Sequence, residues 1–198
     1  PGGNNHGSIC NINGQWYIFY HRMTNGTIMS RRACVERIEI LPDGTIPQVE
    51  MTSLGFEKAL NPYYPTTADT ACVLKGGCYV TELNIFDRVV TNLTDGCVMG
   101  WKYFDFGEDY SSKTMQIRMK IRGMGSNGRI RVLLDSEDGE ELGSISFKQD
   151  DSVIGARLKA VTGVHALYFV VESGYEGWFA GEMKGRQLLA VEEFVFIK

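Results

Sequence analysis

The chain has 198 residues, which is enough for one or two domains that each bury a core. Its 20 Lys and Arg residues against 24 Asp and Glu residues give a net charge of −4, which provides no overall attraction for nucleic acid or an anionic membrane. No apolar run approaches the roughly 20 residues of a membrane span. The sequence therefore predicts neither a nucleic-acid partner nor a membrane partner.

The five cysteines are an odd number, so at least one of them does not pair within the chain. None forms a C-x-x-C pair, which argues against a structural zinc site. Cys72 and Cys78 flank Gly76-Gly77 and would face each other across a hairpin. The alternative, which we favour, is that they are separate buried thiols. The compartment stays open, with an extracellular location favoured over the bacterial cytoplasm.

The first predicted element is a strand that follows an Asn13-Gly14 turn. Apolar and aromatic residues occupy both alternating faces from Trp16 to His21, so both faces are predicted to be buried. A second hairpin is predicted around Pro42-Asp43-Gly44, between Arg37–Ile40 and Ile46–Met51.

Residues 1–52 would then supply three or four strands, which is the content of one blade of a β-propeller. A single blade cannot bury both of its faces, so we expect it to pack on the rest of the chain or to remain poorly ordered. Residues 53–68 carry a glycine, two prolines and no periodicity, and we interpret them as a linker.

The remainder, residues 69–198, shows short strands separated by turn signals. Apolar residues alternate with Gln, Arg and Lys from Met115 to Arg122, which predicts a strand with one core face and one solvent face. Asn127-Gly128 and Asp138-Gly139 mark turns into further strands, and Val164–Val171 and Leu188–Ile197 close the series. This pattern is typical of an all-β sandwich or jelly roll.

A row of basic residues accompanies these strands: Arg118, Lys120, Arg122, Arg129 and Arg131. We interpret the row as a solvated sheet face; the alternative is a patch for an anionic partner.

Three N-terminal motifs carry a family resemblance: Asn4–Ile9 (NNHGSI), Gly14–Tyr17 (GQWY) and Ser30–Ala33 (SRRA). They resemble the final blade of glycoside hydrolase family 43, whose β-xylosidases, α-L-arabinofuranosidases and arabinanases share a five-bladed propeller. The downstream part resembles carbohydrate-binding module family 6. Its matching segments are Val90–Gly96, Lys102–Gly107, Gly163–Phe169 and Phe194–Phe196.

The resemblance implies an all-β chain in which the last blade of a five-bladed β-propeller precedes a β-sandwich jelly roll. The expected organisation is a blade remnant at 1–52, a linker at 53–68 and a carbohydrate-binding-module-like sandwich at 69–198. Because at most one blade is present, we expect the chain to be the C-terminal piece of a larger enzyme, with the missing propeller blades as its partner.

By resemblance, His6 matches a histidine near the propeller axis, and Arg31 matches the arginine that reaches the sugar in the −1 subsite. A guanidinium suits two adjacent sugar oxygens. The alternatives are a loop histidine without a role and a solvated arginine pair. The family inverts, with two carboxyl groups on opposite faces of the sugar. In the resemblance all catalytic carboxylates precede residue 1, and Asp43 and Glu50 match none of them. We therefore expect no catalytic residues here.

Aromatic rings that stack on a pyranose are the usual basis of sugar binding by proteins, and the candidates are Trp101, Tyr103, Tyr175 and Trp178. Tyr175 and Trp178 lie in a glycine-bounded segment, Gly174–Gly181, which is either a binding loop or a cap on the core. For Trp101 and Tyr103, packing within the sheet is favoured. Ala190 stands where the family has an asparagine in its usual cleft, so binding would use another face or be absent.

Calcium is the metal that the resemblance implies, and Glu192 occupies the position of the usual carboxylate ligand, with Asp69 as a further possibility. The predicted function is that of a non-catalytic part of a xylan- or arabinan-degrading glycosidase, which binds plant cell-wall polysaccharide or oligosaccharide or braces the propeller. The alternatives are a free-standing lectin-like protein and a self-sufficient glycosidase with an unrecognised site.

Overall fold

The computed structural model of the chain describes residues 6–27, 30–109 and 111–198. Strands dominate these ranges, as predicted, and form a three-stranded sheet followed by two larger sheets that face each other. No helix in the described ranges is long and apolar enough to cross a membrane.

The three-stranded sheet consists of β1 (Ser8–Ile12), β2 (Gln15–Met23) and β3 (Arg31–Ile38), all antiparallel in the order β1-β2-β3. Asn13 and Gly14 take positive φ values of 51° and 88°, which is the backbone that a two-residue hairpin turn requires. The predicted first hairpin is confirmed.

The predicted burial of both faces of β2 is wrong. Tyr17 is buried, whereas Trp16 is 39% exposed and the rest of the strand is half-buried. All of β1 is exposed. Most residues of β1 and β2 are therefore exposed or half-buried.

The predicted second hairpin is also wrong in its second half. A turn forms where predicted, with Leu41 N–H donating to Thr45 O at 2.9 Å, but residues 46–51 form no strand. Pro47 lacks the N–H that a ladder needs. The segment instead contacts both the three-stranded sheet and the sandwich. Thr52 donates a hydrogen bond to Glu36 of β3, and Glu50 accepts one from Lys102 of the sandwich.

The sandwich contains the remaining strands. One sheet has the order β11-β10-β13-β8-β5, and the other has the order β12-β9-β14-β7-β6 with β4 added beside β14. In chain order they are β4 (Thr66–Thr67), β5 (Val73–Lys75), β6 (Tyr79–Glu82), β7 (Arg88–Leu93), β8 (Val98–Asp105), β9 (Thr114–Gly123), β10 (Gly128–Leu134), β11 (Glu141–Phe147), β12 (Val153–Lys159), β13 (Val164–Ser173) and β14 (Leu189–Ile197).

The strict alternation predicted for β9 is confirmed, since its apolar residues are buried and its polar residues are exposed along its length. The turns at Asn127-Gly128 and Asp138-Gly139 lead into β10 and β11 as predicted. Between the sheets, an aromatic centre is formed by Trp101, Phe169 and Phe194, whose ring centroids lie 4.8–5.0 Å apart. The sandwich of the predicted fold class is thus present.

Residues 53–65 run along the sandwich and are bonded to it. Ser53 N–H donates to Lys102 O at 2.8 Å, Leu60 N–H donates to Tyr103 O at 2.8 Å, and Phe196 N–H donates to Pro62 O at 2.9 Å. The segment is therefore a fixed connection. The boundaries at 52 and 68 stay predictions.

Antiparallel connections divide the loops of the sandwich between two ends. We call the end formed by residues 76–78, 94–97, 124–127, 148–152 and 174–188 the loop end. The turns at 83–87, 135–140 and 160–163 lie at the opposite end.

Candidate functional site

The loop end carries an exposed aromatic pair. A short helix, α1 (Trp178–Glu182), follows Gly177, whose φ of 60° turns the chain outward, and no residue of this helix is buried. Trp178 is 74% exposed and Phe179 is 61% exposed. Their ring centroids lie 5.2 Å apart at an interplanar angle of 74°. The two rings form an apolar platform in contact with solvent.

The aromatic segment divides between the two roles weighed from its sequence. Tyr175 is half-buried and packs against the core of the sandwich, and Met183 and Leu188 return the chain to the core. Trp178 and Phe179 stand between these anchors and face solvent. Tyr175 therefore helps to hold the segment, while Trp178 is available for contact.

A polar cavity of about 520 Å³ lies beside the aromatic segment at the loop end. An ion pair crosses it, since Arg129 Nε donates to Glu172 Oε2 at 2.6 Å. The cavity combines charged groups with amide and hydroxyl groups, which suits the orientation of sugar hydroxyls. The polar side chains that line it are Asn127, Arg129, Ser146, Lys148, Glu172, Ser173 and Glu176.

The structure corrects the candidacy of Trp101 as a sugar-binding residue. Its side chain is fully buried, with 0% of its surface exposed, and its ring packs on Phe169 and Phe194. A ring enclosed in the core has no face left for a sugar. Trp101 is a core residue, in agreement with the packing alternative.

Tyr103 lies on the side of β8 that faces the connecting segment. Its hydroxyl donates to Glu50 Oε2 at 2.8 Å, and Lys102 Nζ donates to Glu50 Oε1 at 2.6 Å. The hydrogen bond to Glu50 is the main reason that the pKa of Tyr103 is raised. The hydrogen bond from Lys102 likewise holds the pKa of Glu50 below its ordinary value. Tyr103 thus fastens the connection to the sandwich.

The structure brings His6 and Arg31 to the same end of the three-stranded sheet. The ring of His6 lies 6.3 Å from that of His21, and His21 pairs with Ala33, two residues beyond Arg31. Asn4 and Asn5 of the same motif lie outside the described residues. Both side chains are exposed, and their part in sugar binding stays a prediction.

Arg31 also lines a cavity of about 350 Å³ between the three-stranded sheet and the sandwich. The other arginines of this cavity are held by neighbours: Arg32 pairs with Glu82 at 2.9 Å, and Arg88 pairs with Asp69 at 3.6 Å. Arg22 donates to the carbonyl oxygens of Ala71 and Cys72. These contacts tie the two parts of the chain together.

The surroundings of Glu192 do not fit calcium. Its two carboxylate oxygens accept from Lys120 Nζ at 2.6 Å and Arg122 Nε at 2.7 Å, whereas calcium needs six to eight oxygen ligands. The other carboxylate considered, Asp69, faces Arg88. Within the described parts of the chain, no three His, Cys, Asp or Glu residues cluster in a way that would hold a metal ion. Glu192 bridges two basic side chains of β9 instead.

The structure divides the basic row between two sheets, since Arg118, Lys120 and Arg122 lie on β9 whereas Arg129 and Arg131 lie on β10. Lys120 and Arg122 share Glu192, while Arg129 pairs with Glu172 and Arg131 pairs with Glu141 at 2.8 Å. The five residues therefore do not form one sheet face, and four of them are held in ion pairs with glutamates.

Sequence reasoning missed the polar cavity at the loop end. It also missed the contacts that join the three-stranded sheet and residues 46–65 to the sandwich, which we call the junction. The cavity residues come from loops that are 20 to 50 positions apart, such as Asn127, Lys148 and Glu176. No local motif marks them. Phe179 had a signal, because it directly follows Trp178 in the glycine-bounded segment.

The sandwich thus carries an exposed aromatic pair in a segment whose Gly174 and Glu176 line a polar cavity. No protein-family model matches the chain. The chain is 40% identical over 194 residues to a xylosidase/arabinosidase of Thermoclostridium stercorarium, in a match that covers 85% of this chain and 39% of that protein. It is 27% identical to an arabinoxylan arabinofuranohydrolase of Paenibacillus polymyxa, covering 89% of this chain and 30% of that protein.

Two solved structures show the same fold. A glycoside hydrolase family 43 arabinoxylan arabinofuranohydrolase of Bacillus subtilis matches all of this chain and 42% of its own, with a TM-score of 0.66 at 24% identity. A family 6 carbohydrate-binding module of Clostridium cellulolyticum matches 70% of this chain and 100% of its own, with a TM-score of 0.58 at 18% identity.

These matches support the predicted resemblance: the chain is similar in sequence to part of a xylosidase/arabinosidase, it has the fold of the matching part of a glycoside hydrolase family 43 enzyme, and its sandwich has the fold of a family 6 carbohydrate-binding module. The chain spans less than half the length of these curated relatives.

Proposed function

We propose that this chain is a non-catalytic part of a glycoside hydrolase that degrades plant polysaccharide of the xylan or arabinan class, and that its sandwich binds the carbohydrate at the loop end. The observation that carries the proposal is the exposed Trp178 ring, which lies in the segment whose Gly174 and Glu176 line the polar cavity. A relative named xylosidase/arabinosidase and a module solved with xylose support the choice of sugar class.

The aromatic rings would supply apolar contact with the sugar, and the cavity would supply hydrogen bonds. The indole face of Trp178 offers apolar surface to the C–H face of a pyranose, and Phe179, whose ring stands at 74° to it, adds apolar surface at its side. Asn127, Lys148 and Glu176 would hydrogen-bond the hydroxyls of the same or the next sugar unit. Tyr175, packed on the core, would hold the segment in place, so that little conformational entropy is lost when sugar binds.

The test is calorimetric titration of the whole chain with xylo-oligosaccharides and arabino-oligosaccharides. We expect saturable binding of one class, and we expect Trp178→Ala to weaken it at least about tenfold, or about 1.4 kcal/mol. Phe86→Ala is the matched control, because Phe86 is 82% exposed but lies at the opposite end of the sandwich. Equal losses in both variants, or no heat from a folded sample with any sugar, would contradict carbohydrate binding at the loop end.

We further propose that the sandwich braces a propeller to which the three-stranded sheet contributes. All of β1 is exposed, and within the described residues it pairs with β2 alone, so the fourth strand of a blade would find an open edge there. The apolar side chains Ile9, Ile12 and Trp16 are 37–46% exposed on this sheet. Additional blades would cover them, while Arg22, Arg32 and Glu36 fasten the sheet to the rest of the chain.

The alternatives receive less support. A self-sufficient glycosidase would need two opposed carboxyl groups, but Asp43 accepts from Thr45 in its own turn and Glu50 is held by Lys102 and Tyr103. A free-standing lectin-like protein would give no reason for the three-stranded sheet or for its specific attachment to the sandwich.

A further inference from the structure

The cavity of about 350 Å³ between the three-stranded sheet and the sandwich has a basic lining, and we call it the arginine cavity. Its charged residues are four arginines and two carboxylates: Arg22, Arg31, Arg32, Arg88, Glu36 and Asp69. The carboxylate of Glu36 already accepts from Thr52 and Tyr20. The lining therefore has an excess of positive charge, and one of its two carboxylates is held by hydroxyl and amide groups.

Two of these arginines lie side by side on the three-stranded sheet. Arg22 of β2 pairs directly with Arg32 of β3. Residues that are directly opposite in an antiparallel pair lie on the same face, and like charges in such a pair repel each other. Arg22 donates to the carbonyl oxygens of Ala71 and Cys72, and no carboxylate of the described residues pairs with it. An anion beside the two guanidinium groups would offset their repulsion.

Arg32 has buried N–H groups without an acceptor. Its side chain is 12% exposed, and its Nη2 lies 2.9 Å from Glu82 Oε1. Nevertheless, neither Nε nor Nη2 makes a hydrogen bond to any residue that the structure describes. A buried donor that is left unpaired is unfavourable, so an oxygen within the cavity is expected to accept from it.

Arg88 gives the arginine cavity a side that solvent can reach. It pairs with Glu82 across β6 and β7, which places it next to the carboxylate that Arg32 contacts. Its side chain is 42% exposed. Among the described residues its one ionic contact is with Asp69 Oδ2 at 3.6 Å, which is too long for a hydrogen bond. A guanidinium has five N–H groups, so donors of Arg88 are available to a ligand that enters from solvent.

We propose that the arginine cavity binds a small oxyanion through Arg32 and Arg88, either the carboxylate of a sugar acid or a free phosphate. The planar fork of a guanidinium matches two oxygens of a carboxylate or of a phosphate, and such charge-assisted hydrogen bonds are stronger than neutral ones. The proposal does not depend on sugar binding at the loop end. It does not depend on Arg31 either, because alternation along β3 places Arg31 and Arg32 on opposite faces.

The rest of the lining has room and polar groups for a ligand larger than the anion itself. Sites for small molecules have volumes of about 300–1,000 Å³, so the arginine cavity is large enough for one sugar unit. Ser53 and Thr70 contribute hydroxyl groups, and Met51 and Cys72 contribute apolar surface. Cys72 is a free thiol, as favoured from the sequence.

The two proposed anion-binding arginines belong to different parts of the chain. Arg32 lies on β3 of the three-stranded sheet, and Arg88 lies on β7 of the sandwich. An oxyanion bound to both would link the two parts. Because a ligand that binds only the folded chain stabilises it, the melting temperature should rise with the concentration of the anion.

The test is calorimetric titration of the whole folded chain with glucuronate and, separately, with inorganic phosphate, at constant ionic strength. We expect saturable binding of at least one of them, and the one that binds more tightly identifies the source of the oxyanion. Glucose is the matched control for glucuronate, because it has the same ring with a CH₂OH group in place of the carboxylate. Glucose should give no heat that depends on Arg88.

Arg88→Gln is the decisive variant, since Arg88 is partly exposed and its one ionic contact is long, so its loss should leave the fold intact. We expect it to weaken binding of the anion at least about tenfold. Arg157→Gln is the matched control on an exposed arginine of β12, outside the arginine cavity, and it should bind the anion as the unsubstituted chain does.

The proposal is overturned if neither anion gives saturable heat, or if Arg157→Gln weakens binding as much as Arg88→Gln. It is also overturned if Trp178→Ala abolishes binding of glucuronate while Arg88→Gln does not, because the sugar acid then binds at the loop end. None of these results bears on the proposed carbohydrate binding at the loop end, which is tested with neutral oligosaccharides.

Discussion

Glu36 is a buried charged residue of the three-stranded sheet. It is 5% exposed, and its carboxylate accepts from Thr52 N–H at 2.8 Å, Thr52 Oγ1 at 2.6 Å and Tyr20 Oη at 3.2 Å. A buried carboxylate with three donors stabilises the fold only while all of these groups remain paired. These hydrogen bonds join β2 and β3 to Thr52, which leads into the connection at residues 53–65.

We expect Glu36→Ala to lower the free energy of unfolding by about 2–3 kcal/mol, because it leaves buried donors without an acceptor. Urea unfolding measures the change. Glu39→Ala is the control on an exposed glutamate just beyond β3, with an expected change within about 0.5 kcal/mol. Equal losses in the two variants would show that Glu36 has no special part in the junction.

The contribution of Glu50 to the free energy of unfolding depends on pH. Its folded-state pKa is depressed by Lys102, so its contribution is present above the unfolded pKa of about 4.3 and is lost as the pH falls through the folded pKa. Its side chain is half-exposed, so Glu50→Gln should cost about 0.5 kcal/mol at neutral pH. The difference from the unsubstituted chain should shrink towards zero in urea unfolding below about pH 4.

Glu57→Gln, on an exposed carboxylate seven residues further along the chain, is the control and should leave the free energy of unfolding at neutral pH close to that of the unsubstituted chain. If Glu50→Gln keeps its full effect in acid, the stabilisation does not come from the ionised carboxylate.

At the scale of the elements, the sequence predicted best where one local rule decided the outcome. Period-two alternation defined β9, and an Asn-Gly pair defined the turn into β2. The rule failed for Ile46–Met51, because the side chains of Glu50 and Thr52 bond to separate layers and no partner strand lies beside the segment. Hydrogen bonds to distant parts of the chain cannot be predicted from the local sequence pattern.

The pairing of β9 with β14 bears on the metal question. Glu192 of β14 is held by Lys120 and Arg122 of β9, so this pair of strands is joined by ion pairs where the resemblance implies calcium. We expect Glu192→Gln to leave any effect of calcium or of a chelator on the melting temperature unchanged, as measured by differential scanning calorimetry. A rise with calcium that Glu192→Gln abolishes would contradict this assignment.

At the scale of the whole molecule, the chain combines a thinly covered three-stranded sheet with a well-packed sandwich. The fold class and the family resemblance could be predicted from sequence, because motifs and turn spacing are local. The site could be predicted in part. Trp101 and Trp178 are the same residue type, but the first lies within a strand whose first four residues are all buried and the second follows Gly177 at the start of a short exposed helix. The polar cavity joins distant loops and had no sequence signal.

The most direct test uses the three tryptophans of the chain as separate reporters of where sugar binds. Trp16 lies on the three-stranded sheet, Trp101 in the core and Trp178 at the loop end. In a two-dimensional ¹H–¹⁵N spectrum each indole N–H gives one peak, and the peak missing in Trp178→Ala identifies Trp178. On addition of a xylo- or arabino-oligosaccharide, we predict that the Trp178 peak moves in a saturable manner while those of Trp16 and Trp101 stay in place. Movement of the Trp16 peak alone, or of none of the three at saturating sugar, would contradict binding at the loop end.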